Sequence, residues 1–97
     1  ALLVGTDTMA LGAMRAIRER GRRIPDDISV ISFDNAEVAA YTEPPLTTVG
    51  FKFAQQDTIA IKYLIELLTD SDMELHQRVL LPDLVVREST RPVSEET

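Results

Sequence analysis

Asp34 and Asn35 follow directly on an apolar, β-branched run, Ile28-Ser29-Val30-Ile31-Ser32-Phe33. A carboxylate at the end of a strand can accept hydrogen bonds from two hydroxyls, the directional contact that a sugar offers. The competing reading is a turn aspartate that caps the next segment. Thr6 and Asp7 stand in the same relation to Ala1-Leu2-Leu3-Val4 and open a helix. A ligand could meet the helix amino end there; for Asp7, plain capping is the simpler account. Phe51 and Phe53 flank Lys52 after a third apolar stretch, and alternation puts both rings on the same side. An aromatic face can pack on the C–H face of a sugar ring, but the same pair would serve equally as core or hinge anchors.

Other chemistries find little to stand on. There is no cysteine, so disulfides and thiolate metal sites are excluded and a reducing compartment is permitted. His76 is the only histidine; it lies in a polar turn and reads as a surface residue. No serine has a plausible partner base, and no residues cluster with metal-ligand spacing. The 4 glycines form no phosphate-binding fingerprint. Neither catalysis nor a cofactor nor a metal is expected. A phosphoacceptor role for Asp34 lacks the acidic pair after the first strand and a suitably placed lysine.

The elements that must position these residues follow from periodicity. A length of 97 residues, 44% hydrophobic and 27% charged, suits one small globular domain. Ala1 to Val4 form a buried strand. A helix over 8–20 carries Met9, Ala10, Ala13, Met14 and Ile17 on one face, and Gly21 ends it. A strand over 28–33 is covered on both faces. A short helix over 36–41 is broken by Glu43-Pro44-Pro45, and a third strand runs over 46–49. A second helix over 54–68 offers Ala60, Ile61, Leu64, Leu67 and Leu68 as its core face, with Ile59 and Tyr63 extending the stripe toward a neighbour. Two short strands, 79–81 and 84–86, flank Pro82-Asp83. From Arg91 onward the chain reads as a frayed, flexible tail, 91–97. Alternating strands and helices make an α/β domain with a mostly parallel sheet, whose ligands meet the strands' carboxyl ends.

Net charge is −6. Over the first 35 residues Arg15, Arg18, Arg20, Arg22 and Arg23 balance Asp7, Glu19, Asp26, Asp27 and Asp34, so the excess is downstream. Phosphate backbones repel such a surface, and this chain is not expected to bind nucleic acid by itself. The arginine run reads as a solvated helix face and its exit. The first residues lack a starting Met and a basic lead-in, so no signal peptide is read there, and a piece of something longer is expected. No apolar run approaches membrane-spanning length.

Four segments resemble the lac-repressor/galactose-repressor family. DTMALGAMRAI (7–17) resembles its ND-x-MALGALRAL helix, and IPDDISVISFDN (24–35) its VPDDISVVGFDD segment. PPLTTV (44–49) matches directly, and LP (81–82) with LVVREST (84–90) matches LP…LVVREST. In order and with matching gaps, they are specific to that family. The resemblance implies a periplasmic-binding-protein-like (type I) fold, with 1–90 as the C-terminal part of a sugar- or effector-binding and dimerisation domain. The DNA-binding head and first lobe would lie elsewhere. It implies a cytoplasmic, ligand-responsive transcriptional regulator of repressor type, a homodimer that reaches operator DNA only through that head, with no membrane role.

Residue by residue, the resemblance makes Asp34 the sugar-hydroxyl acceptor and Phe53 a pocket-lining aromatic with Phe51 beside it. Thr6 stands where many members carry an asparagine. A hydroxyl has one donor and a shorter reach than an amide, so the effector would differ from lactose-like sugars. Asn35 replaces the second aspartate of the usual pair. Subunit pairing would involve Leu11, Met14, Ala39 and Tyr41, apolar residues expected near the surface of the lobe. An extracytoplasmic sugar-binding protein of a transporter shares the lobed fold, but the IPDDISV and LVVREST segments favour the regulator.

Overall fold

The computed structural model describes residues 1–52, 55–70 and 77–93. Its elements run β1 (Leu2–Leu3), α1 (Asp7–Glu19), β2 (Val30–Asp34), a short 3₁₀ helix (Glu37–Ala40), β3 (Thr47–Gly50), α2 (Gln55–Thr69) and β4 (Asp83–Val85). The sheet order is β1-β2-β3-β4. The first two pairings are parallel and the last is antiparallel. This is the mostly parallel α/β arrangement expected from the alternating pattern.

Local chemistry sets the limits of α1. Met9 N–H donates to Thr6 Oγ1 at 3.1 Å, so Thr6 is the amino cap. At the other end Gly21 takes φ 71°. Gly21 N–H then reaches Arg18 O at 2.9 Å and Arg22 N–H reaches Ile17 O at 3.1 Å. These paired bonds are a Schellman ending, which needs a residue tolerant of positive φ. One face of α1 buries Ala10 and Met14 against Val4, Val30, Ala39 and Leu46. Ala13, Ile17, Ile24 and Ile28 close the margins of this core. In the turn that follows, Arg23 N–H donates to Asp27 Oδ2 at 2.7 Å. That bond, with the guanidinium beside it, holds the Asp27 carboxyl below the usual carboxylate range.

The last described segment fastens the sheet from the opposite end. Beyond β4, Glu88 N–H donates to Pro45 O at 3.0 Å, and Val30 N–H donates to Ser89 O at 2.9 Å. The Ser89 hydroxyl accepts from Thr47 N–H at 2.8 Å and donates to Val30 O at 2.6 Å. Ser89 is fully buried and bridges the starts of β2 and β3. Arg91 is held too: its N–H donates to Ser29 Oγ at 3.2 Å and its guanidinium to Asp26 O at 2.8 Å.

Several expectations need correction. The first strand, expected to be buried, leaves Leu2 and Leu3 exposed at the sheet edge, and β2, expected to be covered on both faces, leaves Phe33 exposed. Met14 and Ala39, expected near the surface, are 1% and 0% exposed, because α1 and the 3₁₀ helix turn them into the core. Residues 79–81 are not a strand, since β3 takes only β4 as its outer partner. Helix α2 forms as expected but buries none of its residues, and Ile61, Leu64 and Leu68 are exposed. Its half-buried residues are Ile59, Tyr63 and Leu67, so only Leu67 of the anticipated core face is partly covered and the helix turns its flanking stripe inward instead. The Arg78 guanidinium over the Tyr63 ring, 5.9 Å from its centroid, lies on that turned side. Among the described residues no helix is long and apolar enough to cross a membrane.

Gly50 marks the tightest backbone approach. A Cβ there would lie 2.3 Å from Asp34 O and 2.7 Å from Asn35 N. Backbone cannot step aside as a flexible side chain can, so Gly50→Ala should destabilise the protein by about 3 kcal/mol. An unchanged midpoint in urea denaturation would contradict this close approach.

Candidate functional site

Because β1, β2 and β3 run in parallel, their carboxyl ends share one rim, where open α/β sheets receive ligands. The loop after β2 is the most constrained part of it. Asp34 has φ 120° and Asn35 has φ 54°, two successive residues in a region that side chains disfavour. Asp34 registers opposite Gly50, whose bare backbone makes room for both residues.

The loop is held from below by Asp7, whose side chain is fully buried. Asp7 Oδ1 accepts from the Ser32 hydroxyl at 2.5 Å and from the Thr48 hydroxyl at 2.7 Å. Its Oδ2 accepts from Ala36 N–H at 2.6 Å. One carboxylate thus joins the first turn of α1, the middle of β2, the middle of β3 and the loop. Burying a carboxylate is costly unless its oxygens are satisfied, and here each has a donor. Thr48 Oγ1 also accepts from Asn35 N–H at 3.2 Å.

Above this anchor Asn35 spans the rim. Its side chain is almost wholly buried. Asn35 Nδ2 donates to Phe51 O at 2.9 Å, and Asn35 Oδ1 accepts from Arg87 Nη2 at 3.0 Å. Arg87 Nη1 in turn donates to Leu46 O at 2.8 Å. Asp34 lies outside this network. It is exposed, and its carboxylate makes no hydrogen bond among the described residues.

Asp34 faces two open depressions. One, about 240 Å³, is lined by Asp34, Asn35, Ala36, Glu37, Phe51, Lys52, Gln56 and Asp57. The other, about 280 Å³, adds Phe33, Val49 and Pro82. Each is below the usual size of a complete ligand pocket, as one wall of a crevice would be. The first has three carboxylates against one lysine, which disfavours anionic ligands. A larger apolar hollow of about 470 Å³ lies between α2 and residues 78–80. The polar side chains in its lining are Gln56, Tyr63 and Arg78.

The anticipated residues divide accordingly. Asp34 and Phe51 come together on the rim. Phe53 and His76 lie outside the described residues. Thr6 caps α1 with one lone pair of its hydroxyl, leaving the hydroxyl hydrogen and the second lone pair to offer elsewhere. Leu11 is half-buried and lines a hollow of about 110 Å³ with Met14, Arg18, Thr42 and Glu43, while Tyr41 is 78% exposed. Sequence reasoning passed over the structural part of Asp7, which caps nothing, and passed over Arg87. The available signal was the pair Ser32 and Thr48, hydroxyls inside apolar strands that need a buried acceptor.

Residues 1–90 match the periplasmic binding protein-like domain family. The chain belongs to that family, and within it corresponds to part of the effector-binding domain of lac-repressor/galactose-repressor-type regulators. It is 45% identical over 89 residues to an uncharacterized HTH-type transcriptional regulator in the aml 5′ region of Streptomyces limosus, covering 92% of this chain and 25% of that protein. Its fold matches a LacI family transcriptional regulator from Enterococcus faecium with bound ribose, with a TM-score of 0.89, 28% identity and coverage of 95% of this chain and 34% of that one. It also matches the lac repressor dimer bound to operator and the anti-inducer ONPF, with a TM-score of 0.76, 40% identity and coverage of 91% and 30%. The chain therefore spans about a quarter of the curated relative's length.

Removing the buried acceptor should be costly. Asp7→Ala strands two hydroxyls and one backbone N–H, and should destabilise the protein by about 3–5 kcal/mol. Asp7→Asn should recover only part of this, because an amide group would present hydrogens to a donor. A shift of less than about 0.5 kcal/mol for Asp7→Ala in chemical denaturation would show that the network contributes little.

Proposed function

We propose that this chain is part of a small-molecule-responsive transcriptional regulator of repressor type, and that the rim after β2 and β3 is one wall of its effector site. The observation that carries the reading is Asp34. It is an exposed carboxylate without a partner among the described residues, held in an unfavourable backbone conformation by a loop that Asp7 fastens. Strain of this kind costs on the order of 1–3 kcal/mol and persists where surrounding structure enforces it, as at binding sites. The carboxylate would accept two hydroxyl hydrogens of a sugar, with Phe51 supplying apolar contact to the ring. Thr6 would add a hydroxyl from the neighbouring strand end.

Residues 1–90 would form the C-terminal part of the effector-binding and dimerisation unit, and 91–97 its tail. Operator DNA would be reached only through a helix-turn-helix head outside these 97 residues, consistent with the net charge of −6. Since Met14 and Ala39 are buried, a homodimer interface on this face would rest on Leu11 and Tyr41. Effector binding would shift the balance between lobe arrangements by its differential affinity for them and no further.

Replacing Asp34 by glycine separates its two properties. Asp34→Gly relieves the positive φ and should stabilise the protein by about 1 kcal/mol. In the full-length regulator it should also abolish release of operator DNA by the effector, with ribose as the first probe and a panel of other neutral sugars after it. A variant that is stabilised yet still responds normally would remove Asp34 from the effector site.

A further inference from the structure

The cross-rim bond between Asn35 and Phe51 has no part in capping or core formation, yet Asn35 is 8% exposed and has contacts on both sides of its amide. One side is a donor and the other an acceptor, so the group has one orientation that satisfies both. Asn35 Nδ2 holds the backbone of Phe51, at the start of the segment that follows β3. Asn35 Oδ1 is held by Arg87, from the segment that follows β4. The second arm of Arg87 grips Leu46 O, ahead of β3, and Arg87 N–H donates to Thr47 Oγ1 at 2.9 Å. Arg87 is therefore fixed at three points, two of them outside the rim.

We propose that Asn35, oriented by Arg87, is a positioning residue that sets the separation between the two rim segments, 34–37 and 51–52. This rests on reading that rim as the effector wall. Neither side chain need touch the effector. An aspartate at position 35 would keep the acceptor for Arg87 but turn a carboxylate oxygen toward the Phe51 carbonyl, so two acceptors would face each other. The asparagine is thus the residue that can hold both neighbours, and the distance between Asp34 and the Phe51-Lys52 backbone depends on it. Arg87 makes the amide orientation independent of solvent, because its guanidinium occupies the oxygen side.

The test uses Asn35→Asp, Asn35→Ala and Arg87→Met in the full-length protein, read first without ligand. Backbone ¹⁵N order parameters of Phe51 and Lys52 should fall from the rigid range, about 0.85, to below about 0.6 in all three variants. Val30 and Ile31 should not change. Asn35→Asp should loosen 51–52 alone, whereas Arg87→Met should loosen 34–36 as well. Unchanged order parameters at 51–52, or a uniform fall through the sheet, overturns the proposal, the second outcome marking a merely structural role. Titration with ribose as the probe gives a separate arm. Binding weakened at least fivefold by Asn35→Asp, with Asp34→Ala abolishing it, supports both readings. Ribose binding that survives Asp34→Ala counts against Asp34 as the sugar acceptor, while the tie is still decided by the order parameters.

Discussion

The fold turns on one buried carboxylate. Asp7 leaves the first turn of α1 and accepts three hydrogen bonds, from Ser32 in β2, Thr48 in β3 and the backbone of Ala36. In sequence these donors are 25, 41 and 29 residues away. A neutral acceptor would be a weaker partner for each, since charge-assisted bonds are about twice as strong as neutral ones. An apolar replacement would need all three donors removed together. The network fixes how α1 sits on the sheet and where the loop after β2 emerges.

That loop is strained because the anchor and the sheet leave it little choice. Ala36 is fastened to Asp7, and Asp34 stays paired in register with Gly50. Asp34, the last residue of β2, and Asn35, the single residue between it and the anchor, both take positive φ. The outcome is a carboxylate raised above the rim with its own backbone pinned. A ligand meeting such a group finds it already oriented, which lowers the ordering cost of binding. The opposite end of the sheet is fastened independently by Ser89, so the two ends of β2 and β3 are closed by side chains while the ladder holds the middle.

Much of this was legible in the sequence. Both helices, the central strands and the return segment after Pro82 followed from periodicity and from glycine and proline, to within about two residues. Asp34 was visible because a charge after an apolar run is conspicuous. What escaped notice shares a cause: periodicity identifies an apolar face without naming what covers it. Helix α2 shows this in its exposed Ile61, Leu64 and Leu68; in α1 periodicity did put Met14 on the buried face, and only the resemblance set it near the surface. Asp7 looked like a cap because Thr6 and Asp7 are both good cap residues, and only the long-range donors distinguish them. Residues 79–81 have strand composition but pair with no strand of the sheet, so composition alone misassigned them.

The central claim is that Asp7 fastens the loop that carries Asp34. The most direct measurement is amide hydrogen exchange at Ala36, a loop residue outside any helix or strand. The account predicts exchange as slow as that of the buried Val30 amide, which is bonded to Ser89 O. It further predicts that Asp7→Asn speeds exchange at Ala36 more than at Val30. Exchange at Ala36 as fast as in a free loop would contradict the account, because the carboxylate would then hold nothing at the rim.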